Sequence, residues 1–130
     1  MFTRRGLLIL LTGLASGSSA LPAGASEFRP YDAGAFQKAV ASGSPVVVHV
    51  YANWCLQCHI QASYLDGLKD DQAYRGITFF RVDYDNQKDV VGSLNCPRST
   101  VIAYKGGKEV ARMSWGLTRE SVVNVLKAAM

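Results

Sequence analysis

The run Val46-Val47-Val48-His49-Val50-Tyr51 does most to limit what this chain can fold into. It is almost continuously apolar and β-branched, which suits a central strand covered on both faces. Such a strand needs helices above and below it, so an α/β fold is expected. The neighbouring patterns supply those helices. Asp32 can cap a helix running to about Ser42, with Phe36 and Val40 on one face and Ser42-Gly43-Ser44-Pro45 as its stop. From Cys55 to Leu68 a second helix is predicted, with Ile60, Tyr64 and Leu68 inward at i, i+4, i+8.

Beyond the polar stretch Lys69–Gln72, Ile77–Val82 reads as a strand, Asp83–Asn86 as a turn and Gln87–Leu94 as a short helix with Val90, Val91 and Leu94 inward. After a loop at Asn95–Arg98, strands at Thr100–Tyr104 and Glu109–Met113 flank Lys105-Gly106-Gly107-Lys108, a strong hairpin signal. Gly106-Gly107 is a turn and no phosphate loop, because no helix follows it. Thr118 can cap a last helix with Val122, Val123 and Leu126 inward. Ser26–Tyr31 is read as an entry segment. The expected order is α-β-α-β-α-β-β-α. Two βαβ crossovers and a terminal hairpin would build a central mixed sheet with helices on both faces.

The first residues have a different character. Arg4 and Arg5 precede the uncharged run Leu7–Ala15, and the small, polar Ser16–Ala25 ends in Ala23-Gly24-Ala25. That layout predicts a signal peptide over 1–25 and one domain over 26–130, with an uncleaved N-terminal anchor as the alternative. Thr3-Arg4-Arg5-Gly6-Leu7-Leu8 also resembles a twin-arginine export motif without its usual lysine, so Sec export stays open. The apolar run is shorter than the about 20 residues needed to span a bilayer, and no other stretch approaches that length. Removing 1–25 takes away two arginines and no acid, so the charge of +4 becomes a milder excess. There is no basic block and no aromatic–basic interleaving, which argues against a nucleic-acid partner. Hydrophobic residues at 48% suit a globular domain that needs no disulfide staples, and 3 cysteines are too few for a disulfide framework. Export with three cysteines points to thiol chemistry or metal binding.

Cys55-Leu56-Gln57-Cys58 opens a helix directly after the buried strand. Cys55 then lies where free amide hydrogens and the helix dipole favour a thiolate. It is expected to face outward as the nucleophile. Cys58, one turn in, is expected to be more buried and to resolve a mixed disulfide. Two other chemistries use the same residues. Cys55, Cys58 and Cys96 with His59 or His49 are soft ligands for copper or zinc. Cys55-Leu56-Gln57-Cys58-His59 matches a c-type haem attachment motif, with His59 as axial ligand and Met113 or Met130 as distal methionine. The haem reading requires a mostly helical chain, against the alternation seen here. The pairs Asp70–Asp71 and Asp83–Asp85 read as solvated turn residues and caps.

Tyr51-Ala52-Asn53-Trp54-Cys55-Leu56-Gln57-Cys58 resembles the strand-to-active-site segment of the thioredoxin family, Tyr104–Lys108 its hairpin, and Gly116 the glycine before its last helix. The resemblance covers roughly residues 32–129. The Tyr-Ala-x-Trp-Cys form looks closest to the periplasmic thioredoxin-like domain of membrane thiol–disulfide interchange proteins. It implies a thioredoxin fold and a protein-disulfide oxidoreductase with no cofactor and no metal. It further implies protein disulfides as substrates, a membrane electron donor or acceptor as partner, a monomer, and a periplasmic location. Trp54, Arg98 and Ser99 are implied to meet substrate, with reduction the expected direction.

The sequence departs from the family in three places. Leu56-Gln57 replaces the Gly-Pro of cytoplasmic thioredoxins. His49 stands where the family has a buried acid, and so could relay a proton to Cys58 or be a core histidine. Ser99 stands where the family has a cis-proline, with Pro97 two residues early. A non-proline cis bond costs about 3 kcal/mol, so a trans Arg98–Ser99 bond is expected unless Cys96–Pro97 takes the cis role. Cys96 lies in the loop that packs beside the active-site pair in this family. It is an accessory thiol for a disulfide, a metal or a dimer link, or else a free thiol.

Overall fold

A computed structural model describes Gly13 and residues 28–130, so the predicted signal peptide and its cleavage point lie outside the described residues. The elements are β1 (Phe28–Pro30), α1 (Ala33–Ala41), β2 (Val46–Tyr51), α2 (Leu56–Leu68), β3 (Thr78–Asp83), α3 (Lys88–Leu94), β4 (Thr100–Lys105), β5 (Lys108–Ser114) and α4 (Arg119–Ala129), with a 3₁₀ turn at Gln72–Tyr74. Five strands form one sheet in the order β1-β3-β2-β4-β5. The β1, β3 and β2 strands run parallel, while β4 and β5 are antiparallel.

β2 is central, and its alternation divides the core. Val46, Val48 and Val50 pack with Phe36, Phe80 and Val82 under α1 and α3. Val47 packs on the opposite face with Leu65, Phe79, Val122 and Leu126 under α2 and α4. The expected mixed sheet with helices on both faces is therefore present. Side-chain caps start α1 and α4: Asp32 accepts from the Ala35 N–H at 2.8 Å and Thr118 from the Ser121 N–H at 3.1 Å. Such caps contribute on the order of 1 kcal/mol each.

Three expectations need correction. The entry segment contains a strand, β1, which pairs in parallel with β3. Three residues ending in a proline give no period-2 pattern, and Pro30 is tolerated because the strand is at the sheet edge. The second expected crossover is not parallel, because β4 returns antiparallel to β2; β1-α1-β2 supplies the other parallel unit. The buried stripe of α2 is Cys58, Gln61, Ala62, Leu65 and Leu68, with Ile60 and Tyr64 only half-buried beside it. The helix is rotated so that Cys58, and with it a glutamine, faces the sheet.

Gly116 lies in the connection from β5 to α4. A Cβ there would overlap the Met113 sulfur and the Ser121 side chain, and Ser121 is itself held to the Thr118 carbonyl at 2.7 Å. Gly116→Ala is expected to destabilise the fold by about 1–3 kcal/mol through overpacking, read as a lowered urea midpoint at unchanged slope.

Candidate active site

The end of β2 and the start of α2 create the site. Cys55 is the N-cap residue of α2 with an extended backbone, φ −94° and ψ 112°. Its sulfur accepts from the Cys58 N–H at 3.2 Å, the place a capping oxygen usually takes. Ala52, Cys55 and Cys58 form a small buried cluster flanked by Tyr51 and Tyr84. Cys55 is 2% exposed and Cys58 0%. The outward-facing Cys55 expected from the sequence is instead covered, because capping folds its sulfur back over the first turn. Both thiols are free.

The two sulfurs have opposite electrostatics. Burial pushes the Cys55 thiol up, but the Cys58 thiol, the Cys58 N–H and the Arg98 guanidinium all donate toward its sulfur and together hold it below its ordinary value. For Cys58, burial wins. Desolvation and donation to Cys55 raise it, outweighing the help it receives from the Ala52 backbone and the Ser99 hydroxyl. The negative charge of a reduced pair therefore belongs on Cys55 and the proton on Cys58.

Arg98 and Ser99 approach from the loop before β4. The Arg98 guanidinium lies 4.6 Å from the Trp54 ring centre and 4.8 Å from that of Trp115. Trp54 donates its indole N–H to Asp85 at 2.8 Å. Asp85 is thus more than the solvated turn residue expected, whereas Asp83 does cap its turn through Asn86 at 2.8 Å. All peptide bonds among the described residues are trans, Arg98–Ser99 and Cys96–Pro97 included. The chain turns at Ser99 through a left-handed φ of 61°. It is anchored there by the Ser99 N–H to the Val50 carbonyl at 2.9 Å and by the Trp115 N–H to the Ser99 carbonyl at 2.8 Å.

His49 is buried on the α2 side of β2. Its Nε2 lies 3.0 Å from Gln61 Oε1, and Gln61 Nε2 donates to the carbonyls of Ser99 and Gly116 at 3.0 Å each. His49 thus bonds the glutamine, while the Cys58 thiol points at the Val50 carbonyl. Burial first, then the nearby Arg81 charge, lowers the His49 pKa to about 3. The bond to Gln61 places His49 among the residues that position the Ser99 loop, and its Nδ1 has no hydrogen-bond partner.

Cys96 is half-buried against the α1–α3 layer, away from the Cys55–Cys58 cluster. Its thiol is raised chiefly by burial. Among the described residues no group of three or more His, Cys, Asp or Glu side chains is placed to hold a metal, so the copper or zinc reading gains no support. The His59 ring is held to the Asn53 carbonyl at 2.6 Å and stacks edge-on to Tyr51. A five-stranded sheet is also not the mostly helical chain that haem attachment calls for.

Gln61 and Trp115 belong to the site and were missed by sequence reasoning. A glutamine one turn after Cys58 on an otherwise apolar stripe was a usable signal for the first. Nothing in the sequence brings Trp115 to Arg98.

The thioredoxin family model matches residues 28–128, and the chain belongs to the thioredoxin family. It is 36% identical over 80 residues to Thioredoxin-2 of Saccharomyces cerevisiae, covering 60% of this chain and 75% of that protein. It is 29% identical over 82 residues to the thiol:disulfide interchange protein TxlA of Synechococcus elongatus, spanning 63% of this chain but only 40% of that one. The solved structure of Trxlp from Edwardsiella tarda matches with a TM-score of 0.72 and 37% identity, over 75% of this chain and 95% of that chain. The chain is thus a thioredoxin-like thiol–disulfide oxidoreductase carrying the Cys55–Cys58 pair.

The buried histidine has a consequence for stability. Its folded pKa of about 3 lies below the unfolded value of 6.5, so its contribution is complete above pH 6.5 and is lost as pH falls toward 3. One proton taken up on unfolding corresponds to about 1.4 kcal/mol per pH unit in that window. Urea titrations of wild type and His49→Leu between neutral pH and pH 4 should show a shallower acid slope in the variant. Parallel slopes would mean that His49 is charged in the folded state.

Proposed function

We propose that this chain is an exported, monomeric protein-disulfide reductase that acts through Cys55 as nucleophile and Cys58 as resolving thiol. The observation that carries the reading is the Cys55 sulfur capping α2 at 3.2 Å from the Cys58 N–H, with Arg98 beside it. The Cys55 thiolate attacks one sulfur of a substrate disulfide, and the other sulfur leaves as a thiolate that takes a proton from water. Cys58 then gives up its proton and attacks the Cys55 sulfur. The second substrate thiol is released and the Cys55–Cys58 disulfide closes. Two electrons have passed to the substrate, and an external dithiol must return them.

Around Cys55 the surface fits a protein substrate. Trp54, Leu56, Trp115 and Leu117 are exposed apolar side chains at 57%, 69%, 40% and 47%. Trp54 and Trp115 share one face, because both stack on Arg98. Substrate meets Trp54 and the loop at Arg98 and Ser99. Export to the periplasm, with a membrane protein as electron donor, is supported by the Arg4-Arg5, apolar and Ala23-Gly24-Ala25 pattern. No helix among the described residues is long and apolar enough to cross a membrane.

Cys55→Ser is expected to abolish insulin-disulfide reduction, and Cys58→Ser to accumulate a mixed disulfide at Cys55. Turbidity assays and non-reducing gels read both outcomes. Residual reduction by Cys55→Ser beyond a trace would assign the nucleophile elsewhere. For location, the expected N-terminus of the secreted protein is Ser26, and sequencing of the periplasmic fraction checks it.

A further inference from the structure

We infer that the cavity beside Arg81 is a second binding site, which takes a small zwitterion of the amino-acid or dipeptide class with its carboxylate on Arg81 and its ammonium on Asp85. The cavity measures about 330 Å³, and its walls include Phe28, Pro30, Tyr51, Arg81, Asp83 and Asp85. That volume lies at the lower end of the range of about 300–1,000 Å³ usual for small-molecule sites. Pro30, Tyr51 and Asp83 are the last residues of β1, β2 and β3, so the cavity lies at the carboxyl ends of the parallel strands. Open α/β sheets commonly take ligands there. Neither Cys55 nor Cys58 lines it, so the inference goes beyond disulfide reduction and does not rest on it.

The sheet order puts an unneutralised cation in this cavity. β3 lies between β1 and β2, and the Arg81 guanidinium is flanked by the Phe28 ring at 4.4 Å and the Tyr51 ring at 4.7 Å. Aromatic faces attract the cation without cancelling its charge. Its Nε and Nη2 are buried and have no hydrogen-bond partner. Among the described residues the ion pairs are Lys69–Asp66 and Arg112–Glu109, so no carboxylate pairs with Arg81. His49, opposite it on β2, is neutral at physiological pH and supplies no counter-charge. A guanidinium left in this state calls for an anion, and a carboxylate is the planar anion that matches its fork.

The two acids of the cavity decide what the rest of the ligand is. Asp83 is occupied by the Asn86 amide at 2.8 Å and by the N–H groups of Asp85 and Asn86. Asp85 gives one oxygen to the Trp54 indole at 2.8 Å, which leaves the other to receive a donor. Two carboxylates so close repel a phosphate or any other polyanion and attract an ammonium. Phe28, Pro30 and Tyr51 offer apolar wall to a side chain. These walls are fixed before a ligand arrives. The Tyr51 hydroxyl is 3.1 Å from the His59 ring, and Phe28 packs on Phe79 with ring centres 5.1 Å apart. Binding therefore has little ordering cost to overcome.

The probes are L-leucine and L-leucyl-L-leucine, which carry both charges, N-acetyl-L-leucine without the ammonium, L-leucinamide without the carboxylate, and inorganic phosphate. Each is titrated into the full chain by calorimetry and followed by NMR. The Trp54 indole N–H resonance, assigned with Trp54→Phe, is the local reporter because that N–H sits on Asp85. At least one zwitterion should saturate the protein and shift this resonance. N-acetyl-L-leucine and L-leucinamide should each bind about ten- to a hundredfold more weakly than L-leucine, since each leaves one charge-assisted bond unmade. Arg81→Gln should weaken the zwitterion by a similar factor. Asp85→Asn is the second variant should Arg81→Gln not fold by circular dichroism, with the same loss expected. Saturation by neither zwitterion, or saturation with the Trp54 resonance unmoved, would overturn the site. So would N-acetyl-L-leucine or phosphate binding as tightly as L-leucine, or a folded variant binding as tightly as wild type.

Discussion

The amide of Gln61 joins four segments that the active site cannot do without. It accepts from the His49 ring on β2 and donates to Ser99 before β4 and to Gly116 before α4, each at 3.0 Å, while sitting on α2 directly behind Cys58. All of its bonds, a longer one to the Met113 sulfur included, are inside the protein. A buried bond is worth only about 1 kcal/mol net when made, but an orphaned partner costs about 1–3 kcal/mol. Losing Gln61 would orphan the His49 ring nitrogen and the Gly116 carbonyl together, and would leave the Ser99 carbonyl with the Trp115 N–H alone. The loop that carries Arg98 and Ser99 is therefore set at a defined distance from the cysteines by α2 itself.

That placement explains how one short motif holds two different thiols. Both sulfurs are buried, and burial alone would raise both. Cys55 escapes because three donors converge on it, one of them a full charge. Cys58 does not, because the hydroxyl and backbone groups beside it are too weak to offset its desolvation. The asymmetry needed for attack by one sulfur and resolution by the other comes from which neighbours each sulfur meets, with the helix N-terminus contributing to the first.

The turn at Ser99 shows how the chain manages without a proline there. A non-glycine residue at φ 61° carries a strain of about 1 kcal/mol or more. Its N–H bonds Val50, and its carbonyl takes the Trp115 N–H and the Gln61 amide. Those bonds hold the strained turn in place. Trp115 is also left-handed, at φ 67°, so the two tight positions that face each other across β4 and β5 bring the second indole onto Arg98.

Much of this was legible in the residues alone. The apolar run of β2, the hairpin glycines, the caps Asp32 and Thr118 and the cysteine pair at a helix start are local signals. Each follows from backbone propensity or from a spacing of a few residues. Three parts were not legible. The β1 strand is too short to show a period and exists because β3 offers it an edge. The true inward face of α2 depends on how the helix rolls against the sheet, which swaps Ile60 for Gln61. The pairing of His49 with Gln61, and the placing of Arg98 against tryptophans 44 and 17 positions away in the chain, depend on long-range packing. Local sequence determines which elements form and where a reactive cysteine begins a helix. Only the tertiary fold decides which charge, hydroxyl or ring each sulfur meets, because those contacts are set by the packing of distant segments.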